Sequence, residues 1–194
     1  MNNHILYIFS FLVLFFIKTN HCTIITKITG TQMKKMGWTN YNIEDLNFCI
    51  NKFEINIKER FLSFISLLSY QSVFGKLSGE HYNCSLFEGR KDFGNTQPGD
   101  GCRFKAVGFM ELRGRKSYQE FSNMIGDENV MKGYSYVNSK YPFSTSGYYW
   151  KINNLNSIVD KEPSPNKMCK IFGNHGIDCL SKMKKYYDKA KEIF

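Results

Sequence analysis

The chain contains no Cys-x-x-Cys pair and no histidine at metal-ligand spacing, so a zinc site is not expected. It lacks any apolar run approaching the about 20 residues that a membrane-spanning helix needs. No stripe of basic residues interleaved with aromatics is present, which argues against nucleic acid as a partner. No glycine-rich phosphate loop and no Ser–His–Asp or Cys–His arrangement occurs, and no cofactor is expected. Internal repeats and low-complexity tracts are absent as well. Proline is scarce, at 4 in 194 residues, and two of these, Pro163 and Pro165, fall together in a polar stretch.

What is present begins with a 13-residue apolar run, Ile5–Ile17, broken only by Ser10 and followed by Lys18-Thr19-Asn20-His21. Its length suits a secretory signal, although the positive flank is thin and no small-x-small cleavage site stands out. Residues 1–22 are read as a signal peptide and 23–194 as one secreted domain with no membrane contact after cleavage. An uncleaved anchor is the alternative. Six cysteines, Cys22, Cys49, Cys84, Cys102, Cys169 and Cys179, then point to one or two disulfides. Cys169 and Cys179 are close enough in sequence to pair, but the connectivity stays open. The net charge of +9, from 26 Lys and Arg against 17 Asp and Glu, is scattered and densest at the C-terminal end. Such a spread reads as a solvated face with weak attraction to anionic surfaces.

Periodicity predicts a mainly α fold with long ordered loops. Short helices are expected at Thr31–Met36 and Ile43–Ile50 around the Gly37-Trp38 break. The strongest pattern runs from Asn56 to Tyr70, where Ile57, Phe61, Phe64, Ile65 and Leu68 recur every three or four residues. Leu62 and Leu67 widen its apolar face, as in a central helix, and Gly75 and Gly79 end it. His81–Lys105 is rich in turn formers, and an irregular stretch of that length inside one domain is normally functional. Ala106–Leu112 is apolar. Helical segments follow at Arg115–Ile125, Val130–Lys140 and Ser144–Ile152, then a polar linker over Asp160–Asn166 and a last amphipathic helix over Asp178–Phe194.

The stretch Met33-Lys34-Lys35-Met36-Gly37-Trp38, the loop Glu88-Gly89-Arg90-Lys91-Asp92, and Gly94-Asn95-Thr96-Gln97-Pro98-Gly99-Asp100-Gly101 carry a resemblance. Arg103-Phe104-Lys105, Gly114-Arg115, Tyr149-Trp150 and Asn174 with Gly176 extend it to nearly the whole chain after residue 28. Together they resemble the chitinase-type enzymes of glycoside hydrolase family 19, in the compact form found in bacteria and lysins. The resemblance implies a lysozyme-like, two-lobed helical fold with a cleft for β-1,4-linked N-acetylglucosamine polymers, acting as a monomer in chitin or cell-wall catabolism. It also implies inverting chemistry, with one carboxylic acid protonating the leaving oxygen and a second carboxylate activating water.

Where that family carries its catalytic acid, this chain has Gln71, in Tyr70-Gln71-Ser72. Nine residues on, Glu80 fills the position of the base, and Glu88 follows after eight more. An amide has no proton to give, and general acid assistance is worth about 10²–10⁴-fold. The family's small hydroxyl that helps hold the attacking water is replaced by Arg113, in Glu111-Leu112-Arg113. Its cation could pair with Glu80 or Glu111. Of the glycines that let backbone approach the sugar, only Gly108 is kept in Ala106-Val107-Gly108.

The substrate-contacting positions implied are Glu88, Arg90, Glu111, Tyr118, Trp150 and Asn174. Each has a plainer reading. Glu88 beside Arg90 fits an ion pair that organises the loop. Tyr118, Tyr149 and Trp150 suit the core, Asn174 could cap the last helix, and Gln71 is an ordinary residue for a helix end. Asn83-Cys84-Ser85 is formally a glycosylation sequon and is expected to be poorly used, since it lies at the cleft rim. Three functions stay open: a chitin-binding homologue with impaired hydrolysis, an active chitinase or peptidoglycan-cleaving lysin with its acid relocated to Glu111 or Glu88, and a non-catalytic wall or host-surface protein.

Overall fold

The computed structural model describes residues 23–79, 83–171 and 177–194. The signal segment, Cys22, Glu80, His81 and Asn174 lie outside the described residues. Among those described the chain is mainly helical, and its extended pairing is confined to two isolated antiparallel bridges, Ile24–Ile57 and Val107–Leu112.

The first two helices are α1, Gly30–Met36, and α2, Ile43–Lys52. Thr29 opens α1 through a reciprocal capping box with Gln32, and Asn42 caps α2 by accepting from the Asp45 amide. The central helix α3, Lys58–Ser72, is buried at every position from Phe61 to Ser69. It therefore has no polar face to spare, and its serines satisfy themselves within it. Ser66, Ser69 and Ser72 each return their hydroxyl to the carbonyl four residues back, at 2.6, 2.7 and 2.7 Å. Ser69 Oγ also accepts from the buried Trp38 indole at 3.0 Å.

After α3 the backbone stays left-handed through Val73 (φ 49°), Phe74 (φ 59°) and Gly75 (φ 83°). Two of these are not glycine, each costing about 1–2 kcal/mol. Gly75 has no substitute, because a side chain there would run into the Asn40 carbonyl and the Trp38 ring.

Residues 83–114 hold 3₁₀ turns at Cys84–Phe87 and Lys91–Phe93, the single turn α4, Asp100–Arg103, and the tight Val107–Leu112 bridge. Next come α5, Arg115–Ile125; a 3₁₀ turn, Glu128–Lys132; and α6, Tyr134–Lys140. The continuous helix expected over Val130–Lys140 is thus divided, because Gly133 takes φ 100° and packs its backbone on Arg103. The chain closes with α7, Ser144–Ile152; α8, Leu155–Lys161; α9, Pro165–Ile171; and α10, Ile177–Ile193. The linker expected over Asp160–Asn166 is correspondingly shorter. Only Glu162–Ser164 are non-helical, and Pro165 starts α9, where a missing amide hydrogen costs nothing.

Helix α3 packs against α8, α9 and α10, while α1 lies on α10 and α7 on α2 and α8. Separately, α5 and α6 pack on the 128–132 turn, and α4 on the 84–87 turn. Asp45 ties α2 to the start of α7. Its carboxylate accepts from the Phe143 and Ser144 amides at 2.6 and 3.2 Å, and from the Ser144 hydroxyl. Burial pushes that carboxyl up to about 7 against the three hydrogen bonds. One turn along α2, the buried Cys49 thiol donates to the Phe143 carbonyl, and burial together with Asp45 pushes it up as well.

Candidate functional site

Gln71 sits in the last turn of α3, half-buried, four residues before the left-handed Gly75. Downstream, Val107 and Leu112 exchange backbone hydrogen bonds of 3.0 and 2.9 Å and close a four-residue turn. Gly108 and Glu111 take left-handed conformations in it, at φ 74° and 54°. The glycine kept at 108 is required by packing, since a side chain would collide with Thr145 and the Pro142 carbonyl. The approach it permits is therefore toward α7. Gly79 N–H donates to the Gly108 carbonyl at 3.3 Å, which lays the segment leading to residue 80 along this turn.

Arg113 leaves the turn half-buried. Its guanidinium lies 4.4 Å from the centre of the Phe87 ring, and its Nη2 is 3.3 Å from Glu111 Oε2. The structure thus joins Arg113 to Glu111, one of the two carboxylates that the sequence offered. Next to Phe87 is Phe93, edge-on at 5.6 Å, and Arg90 lies 4.9 Å from the centre of Phe93. Two arginines and two phenylalanines accordingly form one contiguous wall.

The loop behind that wall is held from within. Cys84 and Cys102 form a disulfide. Glu88 accepts from the Gly99 and Gly101 amides at 2.6 and 2.9 Å. Asn95, fully buried, donates to the Phe87 carbonyl at 2.9 Å and accepts from the Arg115 amide at 2.9 Å. Asp100, 1 % exposed, takes a two-pronged bond from Arg115 (2.8 and 2.5 Å) and one from the Gln97 amide at 3.0 Å. The Arg115 guanidinium holds the Asp100 carboxyl below its usual value, and Gln97 Oε1 accepts from the same guanidinium at 2.8 Å. Asn83 Oδ1 caps the 84–87 turn by accepting from the Ser85 amide, so the sequon is folded into the same structure.

Several sequence expectations change against this geometry. Glu88 organises the loop, but through backbone amides. The expected pair with Arg90 does not form, because Arg90 binds Asp92 two-prongedly at 2.8 and 2.5 Å. Tyr118 is fully buried, its hydroxyl donates to the Lys105 carbonyl at 2.7 Å, and its ring stacks edge-on against Phe104. Trp150 is 1 % exposed, donates to Asn156 Oδ1 at 2.7 Å and packs on Phe64. Both belong to the core, and neither presents a face to a ligand. The residues that sequence reasoning passed over are Phe87, Asn95, Asp100 and Arg115. Asn95 and Asp100 stood inside the quoted loop motif, and a buried Asn and Asp in a turn-rich run was the signal that could have marked them as its internal fasteners.

A second disulfide joins Cys169 of α9 to Cys179 of α10, and Cys49 is the free cysteine among the described residues. No described group of His, Cys, Asp and Glu is placed to hold a metal ion, and no described helix is long and apolar enough to cross a membrane. Comparison with models of known protein families and with curated proteins gave no match. What fold and site define together is a mainly helical protein with two disulfides, whose long loop is fastened internally and faced with an Arg–Phe wall.

Proposed function

We propose that this chain is a secreted, chitin-binding relative of the family-19 glycoside hydrolases in which hydrolysis is impaired. The observation that carries the reading is the pair of exchanges at the would-be reaction centre. Gln71, an amide, ends the central helix at the acid position, and Arg113 fills the place of the small hydroxyl that would hold water. The contacts of Arg113 with Phe87 and Glu111 support reading it as an obstacle to that water. Glu80 keeps the base position by count from Gln71.

Support for the two-lobed, lysozyme-like shape comes from the packing. Helix α3 packs on α8, α9 and α10, and α5 with α6 packs on the 128–132 turn, the two sets meeting where Tyr148 of α7 contacts Glu120 and Phe121 of α5. Two disulfides are compatible with export, which the apolar run at Ile5–Ile17 would direct. Replacing an acid by its amide keeps volume and hydrogen-bonding capacity, so binding survives while turnover falls.

The test follows binding and turnover separately on N-acetylglucosamine oligomers. Binding is expected with turnover about 100-fold or more below an ordinary chitinase, the lower range of general acid assistance. Gln71→Glu alone restores little, because Arg113 still displaces the water. Gln71→Glu with Arg113→Thr gains more than the product of the single changes, since acid and water act as a unit. Wild-type turnover within about tenfold of an ordinary chitinase, ~1.4 kcal/mol in barrier, overturns the reading. If Glu111→Gln then abolishes that turnover, the acid has moved to Glu111.

A further inference from the structure

A pocket of about 230 Å³ opens beside the cleft segments, lined by Asn40, Asn42, Ser78, Phe109, Asn138 and Ser139 among others. We infer that it is a second ligand site, one that takes a single neutral acetamido sugar unit.

Three features of its lining lead there. Every side chain lining it is uncharged, in a chain of net charge +9. A charged ligand entering would lose water and gain no counter-ion, which is costly. A wholly apolar ligand would strip water from amides and hydroxyls without replacing their hydrogen bonds. What remains is a neutral ligand dense in donors and acceptors. The volume matches about eight waters at ~30 Å³ each. It falls below the ≈ 300–1,000 Å³ usual for drug-sized ligands, so one ring is accommodated.

Hydrogen bonding within the pocket divides its amides into fixed and available ones. Asn42 is spent on structure: its Oδ1 accepts from the Asp45 amide at 3.0 Å and its Nδ2 reaches the Ser139 and Lys140 carbonyls at 3.4 and 3.5 Å. Asn138 is oriented but not exhausted. Ser78 donates to its Oδ1 at 2.9 Å, which leaves the Nδ2 hydrogens as donors. The side chains of Asn40 and Ser139 make no hydrogen bond among the described residues, so both keep their full capacity for a ligand. An acetamido group offers one N–H, one C=O and a methyl. The free amides can serve the first two, and Phe109, 6 % exposed, can receive the third.

The walls are also pre-positioned relative to the cleft. Ser78 lies two residues before Glu80, and Phe109 two residues before Glu111. The same Gly79–Gly108 hydrogen bond joins both walls. The site nonetheless stands on its own lining, independently of any role for Gln71.

The experiment is a titration of the isotope-labelled full chain, followed by NMR, with N-acetylglucosamine, glucose and the cationic glucosamine in turn. N-acetylglucosamine is expected to shift the side-chain amide signals of Asn40 and Asn138 saturably, with weaker effects from glucose and glucosamine. Asn138→Ala and Ser139→Trp, the second filling the pocket from an exposed position, each weaken that binding about tenfold or more. Absence of shifts at Asn40 and Asn138, wild-type affinity in both pocket variants, or tighter binding of glucosamine overturns the inference. The cleft reading is judged apart from it, by whether an N-acetylglucosamine tetramer shifts the Gln71 and Arg113 side-chain signals in the Ser139→Trp variant.

Discussion

Asp45 is a carboxylate whose solvent has been replaced by three donors at the start of α7, and burial is the stronger influence. Its carboxyl titrates near 7 in the folded chain against 3.8 when unperturbed. Between those values the folded state holds a proton that the unfolded state has lost. This contribution to stability is therefore complete below about pH 4 and is lost as the pH rises through about 7. Asp45→Asn is expected to flatten that slope. The amide oxygen can still accept from the Phe143 and Ser144 amides, and its NH₂ can donate to the Ser144 hydroxyl. Denaturation midpoints between pH 4 and 8 provide the check, and an unaltered slope in the variant would refute the assignment. None of this was legible in the sequence. Asp45 stands in an ordinary amphipathic pattern, and its burial depends on Phe143, about a hundred residues away. Trp150 and Tyr118 show the opposite case, in which apolar periodicity on a helix meant core, as it usually does, and the family position misled.

At the scale of elements, periodicity placed α5 and α7 with the observed ends and α2, α3 and α10 to within two residues. These helices bury one strong apolar stripe or, in α3, nearly every face. Helices α8 and α9 went unseen because each is a seven-residue piece that docks only two or three apolar side chains. So short a pattern, with prolines beside it, reads as linker. The 83–103 loop is a different kind of element, since hydrogen bonds and a covalent link give it order that hydrophobic burial does not. Opening the Cys84–Cys102 bond, by the double change to serine, releases a loop spanning 18 residues. On chain-entropy grounds it is expected to cost about 3 kcal/mol of global stability. Hydrogen exchange at the Gly99 and Gly101 amides, which Glu88 binds, should quicken by more than that at α3. Equal quickening throughout would show that the loop has no independent order.

For the whole molecule, cysteine accounting separates bridged from buried thiols. Of the five cysteines in 23–194, four are bridged and Cys49 is sealed beneath α7. Native unreduced protein is expected to take up no alkylating reagent on these residues, denatured unreduced protein one equivalent, and denatured reduced protein five, by intact mass. Labelling of the native form at Cys84 or Cys102 would contradict the bridge. The mainly helical class was readable because the apolar stripes are long. Which helices pack on which was not readable from periodicity, since one hydrophobic cluster runs through the fold.

The internal fastening of the long loop bears on how such a chain changes over generations. Asn95, Gln97, Asp100, Gly101 and Arg115 each hold the loop's own shape, and none needs a reaction to justify it. Selection for folding alone would keep them. Gln71 and Arg113 stand outside that set. A loop fastened in this way keeps its shape while residues around it exchange, so its sequence reports on folding and says nothing of whether position 71 or 113 takes part in a reaction.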